Sequence, residues 1–329
     1  MDNTIFAQSI ARIRVYETRL LTRAKLEGVS EARDFDEAIR MLQDSIYGSY
    51  ISMPSYEDGL KASLEELYRD MKKLVPVREV IDILSARYDA HNIKSLIKGK
   101  QSGVDVDSLL IDAGTIPLDN LKMMFRDEDY KEMPEILRDY VLKAFESYRN
   151  AEDPQEIDII MDKGMYRYML EIAKNSRLEY LNKIVKLMID VTNIKAFIRV
   201  KAQERGIEFF ERVYIEDGKL ELDLFATNFN NPLDSFVKKV SFTQHDKWVR
   251  EGIEEYEKTG DLGRIEKAGD NYIIDYLRSA KFVSFGPEPI IAYILARENE
   301  IKVLRIILTG KKNEVHPDII RERLRDTYV

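Results

Sequence analysis

An internal repeat constrains this chain more than any single motif does. Asn92-Ile-Lys94-Ser-Leu96-Ile-Lys98 is matched by Asn193-Ile-Lys195-Ala-Phe197-Ile-Arg199 and again by Glu300-Ile-Lys302-Val-Leu304, at spacings of 101 residues (92 to 193) and 107 residues (193 to 300). A fainter match, Glu17-Thr-Arg19-Leu-Leu21, lies 75 residues before the first (17 to 92). Two further blocks keep the order: Ile116-Pro117-Leu118-Asp119 with Asn231-Pro232-Leu233-Asp234, and Ile157-Asp158 to Asp162 with Ile265-Glu266 to Asp270. The 329 residues therefore read as three copies of one unit, 1–110, 111–222 and 223–329.

The repeated pieces are helical, and the fold class is all-α. Ile93, Leu96 and Ile97, like Ile194, Phe197 and Ile198, fall at i, i+3 and i+4, so each helix buries one face. Pro117 and Pro232 preset φ where a helix begins, and Asp119 and Asp234 sit in the first turn, where the helix dipole favours negative charge. Gly103 and Gly206 follow at the distance of a helix stop. The same period predicts one helix over 6–26 and others over 64–74, 80–98, 136–148, 157–173, 177–201, 235–253, 271–281 and 289–308, the last ended by Gly310. Only Val213-Tyr-Ile and Lys219 to Leu224 alternate as a strand would. With the insertion Glu208 to Glu216 they read as a loop or a minor surface hairpin.

Composition closes off most chemistry. With no cysteine, the chain has no disulfide scaffold, thiol nucleophile or thiolate metal site, and it suits a reducing compartment. His91, His245 and His316 are isolated from one another and from any metal-ligand spacing, so neither a metal site nor a catalytic histidine is expected. Gly99-Lys100 and Gly310-Lys311 lack the rest of a phosphate-binding loop, and Ser95 to Lys98 and Ser235 to Lys238 lack the partner motifs of a serine–lysine hydrolase. No cofactor is expected. A formal charge of −8 argues against nucleic acid as the partner. No run of 18 apolar residues is present, and the first ten residues lack the pattern of a signal peptide, so a cytoplasmic location is expected.

The C-terminal block Phe285-Gly286-Pro287-Glu288-Pro289 … Arg297-Glu298-Asn299-Glu300-Ile-Lys302-Val-Leu-Arg305 differs from the rest in being a turn followed by one long apolar helix. Together with Ala11-Arg12-Ile13-Arg14-Val-Tyr-Glu17-Thr-Arg19-Leu20-Leu21 and the three-unit organisation, it resembles the C subunits of the V/A-type rotary ATPases, relatives of the eukaryotic d subunit. The resemblance implies three similar helical domains in a pseudo-threefold funnel. It also implies a seat on the cytoplasmic face of the membrane proteolipid ring, with the D and F proteins of the central stalk entering the funnel. The role implied is mechanical, one copy per complex without an active site, linking ATP hydrolysis or synthesis to movement of H+ or Na+.

The candidate contact residues are Glu288, Arg297, Glu300, Lys302 and Arg305 of the C-terminal block, with the basic flank Lys94, Lys98, Lys195 and Arg199 of the earlier copies. The repeat alone also fits a helical adaptor that binds peptide or protein partners. An enzyme with a carboxylate-rich cleft is a third reading, to which the chain offers no catalytic constellation.

Overall fold

The computed structural model describes residues 3–51 and 55–329. Helix accounts for 74% of the described residues, and no strand forms among them. The α-helices are α1 (Ala7–Glu17), α2 (Arg23–Glu31), α3 (Phe35–Met41), α4 (Gly48–Ile51), α5 (Tyr56–Leu74), α6 (Glu79–Ser102), α7 (Leu118–Asp127), α8 (Glu135–Ala151) and α9 (Pro154–Ser176). They continue with α10 (Glu179–Ala202), α11 (Ile207–Val213), α12 (Leu222–Ala226), α13 (Leu233–Val240), α14 (Asp246–Thr259), α15 (Gly263–Arg278), α16 (Glu288–Lys312) and α17 (Pro317–Arg323). No helix among the described residues is long and apolar enough to cross a membrane.

The helices gather into two compact units. One is the continuous stretch Val77–Asn231; the other joins the chain up to Pro76 with Pro232–Val329. In the first unit, Ile93 and Ile97 of α6 pack with Leu121 and Phe125 of α7, Leu137 and Val141 of α8, and Ile157 and Met161 of α9. Beside α10, Phe197 meets Phe210, Phe225 and Phe229 at ring-centroid distances of 5.4, 5.5 and 5.9 Å, the spacing of favourable tilted aromatic pairs. In the second unit α16 is the central element. Pro289 to Arg297 is buried without interruption, against α1, α2, α3, α5, α15 and α17, as expected of a helix apolar all round.

Several boundaries differ from those the sequence predicts. The helix expected over 6–26 stops at Glu17 and restarts as α2, where Thr22 Oγ1 accepts from the Lys25 amide at 3.2 Å. That over 235–253 is interrupted between Val240 and Asp246, where Thr243 Oγ1 bonds back to the Val240 carbonyl at 2.7 Å. The insertion after α10 makes the short helix α11 in place of a hairpin, because Phe210 anchors it in the aromatic cluster. Gly206 precedes that helix with an extended backbone, whereas Gly103 ends α6 in the left-handed conformation, φ +69°. Gly310 does not end α16, which runs to Lys312. A Cβ there would meet Ile320 Cδ1 at 2.7 Å and Cγ1 at 2.8 Å, so Gly310 lets α17 approach.

Candidate functional site

The three repeated helices α6, α10 and α16 each carry a buried polar pair, three residues apart, that fastens a length of irregular chain. On α6, Asn92 makes both bonds of an amide clasp: Nδ2 donates to the Ile111 carbonyl at 2.7 Å, and the Ile111 amide donates to Oδ1 at 2.8 Å. One turn earlier, Asp89 accepts from the Thr115 amide at 2.9 Å, the Thr115 hydroxyl at 2.6 Å and the Ile116 amide at 3.1 Å. On α10, Asn193 repeats the clasp with Ile215 at 2.7 and 2.9 Å. There Asp190 accepts from the amides of Lys219 and Leu220 at 2.8 and 3.0 Å. All four side chains are at most 2% exposed, so their own polar atoms depend on these bonds in place of water.

The third copy uses different chemistry at the same register. Glu300, in the place of Asn92 and Asn193, accepts from the Leu21 amide and from the Tyr47 hydroxyl, the latter at 2.7 Å. Arg297, in the place of Asp89 and Asp190, donates to Tyr47 Oη, Tyr293 Oη and Ser63 Oγ, each at 3.1 Å, and lies 3.8 Å from Glu300. Leu21 thus does for α16 what Ile111 and Ile215 do for α6 and α10. The segment that the faint match around Glu17 to Leu21 marks is the chain that α16 grips, not a copy of the gripping helix.

Burial pushes the Glu300 carboxyl up to about 7, against the opposing pull of Arg297 and the hydrogen bonds from Tyr47 and Leu21. Burial works to lower the Arg297 guanidinium, but Tyr47, Tyr293 and Glu300 together hold it above its ordinary value, so it stays charged. Burial also raises the Tyr47 hydroxyl, with Glu300 adding to it.

The nine candidate contact residues fall into two groups. Arg297 and Glu300 are 9% and 2% exposed and take part in the clasp. The other seven reach the surface to some degree. Lys94 pairs with Asp162 at 2.8 Å, and Lys98 with Asp158 at 2.7 Å, joining α6 to α9. Lys302 pairs with Asp270, which also accepts Arg325 Nε at 3.1 Å. Lys195 is half-buried, Arg199 and Arg305 are exposed, and Glu288 sits in the first turn of α16. Each of the ion-paired lysines is spoken for within the chain, and such half-exposed pairs are worth about 0–1 kcal/mol apiece.

Sequence reading missed Asp89 and Asp190, although both stand three residues before the repeated Asn-Ile-Lys. It also missed the loop match that the clasps reveal, Ile111-Asp112-Ala113-Gly114 with Ile215-Glu216-Asp217-Gly218, spaced by 104 residues (111 to 215). By this register α7 corresponds to α12, while the Pro-Leu-Asp likeness links α7 to α13. Two exposed aromatics also went unnoticed: Phe242 and Phe282, 95% and 89% exposed, beside Lys239 and Lys281 respectively. Arg14 of α1 supports the second by donating to the Ala280 and Val283 carbonyls, each at 2.9 Å. Among the described residues no three potential metal-ligating side chains cluster.

Residues 9–323 match the protein family described as ATP synthase (C/AC39) subunit. Among curated relatives, the C subunit of the V-type sodium ATPase of Enterococcus hirae is 27% identical over 319 residues, 96% of this chain and 97% of that protein. The C subunit of the A-type ATP synthase of Methanocaldococcus jannaschii is 27% identical, covering 98% of this chain and 87% of its own length. That of a Desulfurococcus species is 28% identical, covering 97% and 90%.

Proposed function

Because the chain belongs to the ATP synthase (C/AC39) subunit family, we propose that it is the non-catalytic rotor subunit of a V/A-type ATPase, joining the central stalk to the membrane proteolipid ring. The D and F proteins are the stalk partners in this reading. The chain sits peripherally on the cytoplasmic face, one copy per complex, and its three sequence copies form the funnel that the stalk enters. Passing torque between stalk and ring links ATP hydrolysis or synthesis to ion movement. Relatives named as a sodium ATPase and as ATP synthases are equally full-length matches, so the proposal covers H+ or Na+ and either direction.

The single observation that carries this reading is the family match from residue 9 to residue 323. The clasps support it, because a coupling part has to resist shear. Each clasp ties irregular backbone to a helix of 24 or 25 residues through buried, directional bonds. Exposed Arg199 and Arg305 and part-buried Glu288, with Lys94, Lys98, Lys195 and Lys302, remain the proposed polar contacts, joined now by Phe242 and Phe282.

The test is reconstitution. The purified full chain should bind a D–F stalk pair and a detergent-solubilised ring, and by itself hydrolyse no ATP. Failure to bind either partner overturns the reading.

A further inference from the structure

Alongside α16, the second unit contains an open cleft of about 650 Å³ walled by α15, α16 and α17. Its charge is lopsided. Six cations line it, Arg264, Lys267, Lys302, Arg305, Arg323 and Arg325, against the carboxylates of Asp261, Glu266 and Glu322, in a protein whose formal charge is −8.

Part of this positive charge is balanced internally. Arg264 Nη2 meets Glu322 at 2.7 Å, and Lys302 and Arg325 share Asp270 beneath the wall. The remainder is not. Lys267 Nζ donates to a backbone carbonyl, that of Glu322, at 2.8 Å, and burial lowers its pKa. Arg305 and Arg323 are exposed and make no ion pair among the described residues.

The floor is aliphatic, formed by Ile306, Val315, Ile319 and Ile320, with Ile319 50% exposed. No aromatic ring lines the cleft, so a nucleotide base would find nothing to stack on. A bare phosphate would use the cations and leave the isoleucines idle. An acidic peptide with interspersed aliphatic side chains uses both.

We propose that this cleft is the docking site for an acidic, leucine- or isoleucine-bearing segment of another protein of the assembly, with its carboxylates on Arg305, Arg323 and Lys267 and its aliphatic side chains on the isoleucine floor. The occupant's belonging to the same machine rests on the function proposed above; the chemistry of the cleft does not.

Two measurements on the full chain separate these. In the first, a fluorescent peptide of repeated Leu-Glu-Glu is titrated at about 0.15 M salt, where only close charge pairs survive screening. It should bind, a repeated Leu-Lys-Lys peptide should not, and the double variant Arg305→Glu, Arg323→Glu should weaken binding by about tenfold or more with an unchanged circular dichroism melt. Equal binding by the variant overturns the proposal. So does tighter binding of inorganic tripolyphosphate than of the peptide, which would make the cleft a phosphate site. In the second, zero-length carbodiimide coupling of the assembled complex should join Lys267 to an aspartate or glutamate of a neighbouring protein. Assembly without such a link overturns the proposal and leaves the rotor reading standing. If the chain does not assemble but binds the acidic peptide through Arg305 and Arg323, the rotor reading fails and the cleft stands.

Discussion

At the scale of single residues, the clasps separate what a buried polar group holds from what it costs. Replacing Asn193 by Leu removes both bonds to Ile215 while keeping volume, and leaves a buried N–H and C=O unmet, for a loss of about 2–5 kcal/mol. A thermal melt checks this, and a change within error of wild type would show that the clasp is ornamental. Glu300 makes the corresponding position pH-dependent. Its folded-state value, about 7, lies above that of an unfolded carboxyl, so between about pH 4.5 and pH 7 the folded state holds the proton that the unfolded chain has released. Stability on this account falls as pH rises through that window, by at most about 1.4 kcal/mol per pH unit. Arg297, Tyr47 and Tyr293 are the charged and titratable groups around the carboxyl, and they keep their state throughout the window. Glu300→Gln removes the titration but keeps an acceptor for the Leu21 amide. The melting temperature of the variant minus that of wild type should climb from pH 5 to pH 8. A flat difference would place the titration elsewhere.

At the scale of elements, local pattern dictates nearly every helix and distant contact dictates where some of them break. While α7 is announced only by Pro117 and Asp119 at its start, the period of apolar residues is enough to read α6, α8, α9, α10, α16 and the second half of α5. It misreads 6–26, since Leu20 and Leu21 satisfy the period of a continuing helix, yet the Leu21 amide is taken by Glu300, 279 residues away. The repeat made the register of Asn92, Asn193 and Glu300 visible. Their shared task stayed hidden, because the atoms they bind belong to backbone, which has no sequence signature. The basic flank was legible as charge; that Lys94 and Lys98 spend theirs on Asp162 and Asp158 depends on how α6 lies against α9. Gly310 gives a test at this scale. On helix propensity alone Gly310→Ala should stabilise α16 by up to about 1 kcal/mol. The Cβ would instead press on Ile320 Cγ1 and Cδ1, so we expect faster amide exchange in Pro317–Arg323 and a lower melting temperature. The second change Ile320→Val removes Cδ1 and should recover part of the loss. Stabilisation by the single variant would show that α17 is held by other contacts.

At the scale of the whole molecule, the sequence copies and the compact units follow different lines, and the clasps explain why. Both clasps of Val77–Asn231 close on chain that follows the gripping helix, Ile111 after α6 and Ile215 after α10, so that unit is complete within one continuous stretch. The clasp of α16 closes instead on chain that precedes it, at residue 21, 279 residues before Glu300. The same early residues supply, through α1, α2, α3 and α5, most of the cover for the apolar surface of α16. Loop-closure entropy grows only logarithmically with length, so bringing residue 21 to residue 300 across the whole of 77–231 costs little more than a much shorter loop would. Residues 77–231, expressed alone, should therefore fold to a helical domain with a cooperative melt, as its size and separate core permit. Residues 232–329 alone should not, since Ile290, Ile294, Leu304 and Leu308 would lie bare, and addition of residues 1–76 as a separate chain should restore helical circular dichroism and a melt. A cooperative melt of 232–329 by itself would mean that α16 finds its core within the C-terminal stretch, and that the charged clasp on Leu21 fastens a segment the unit can do without.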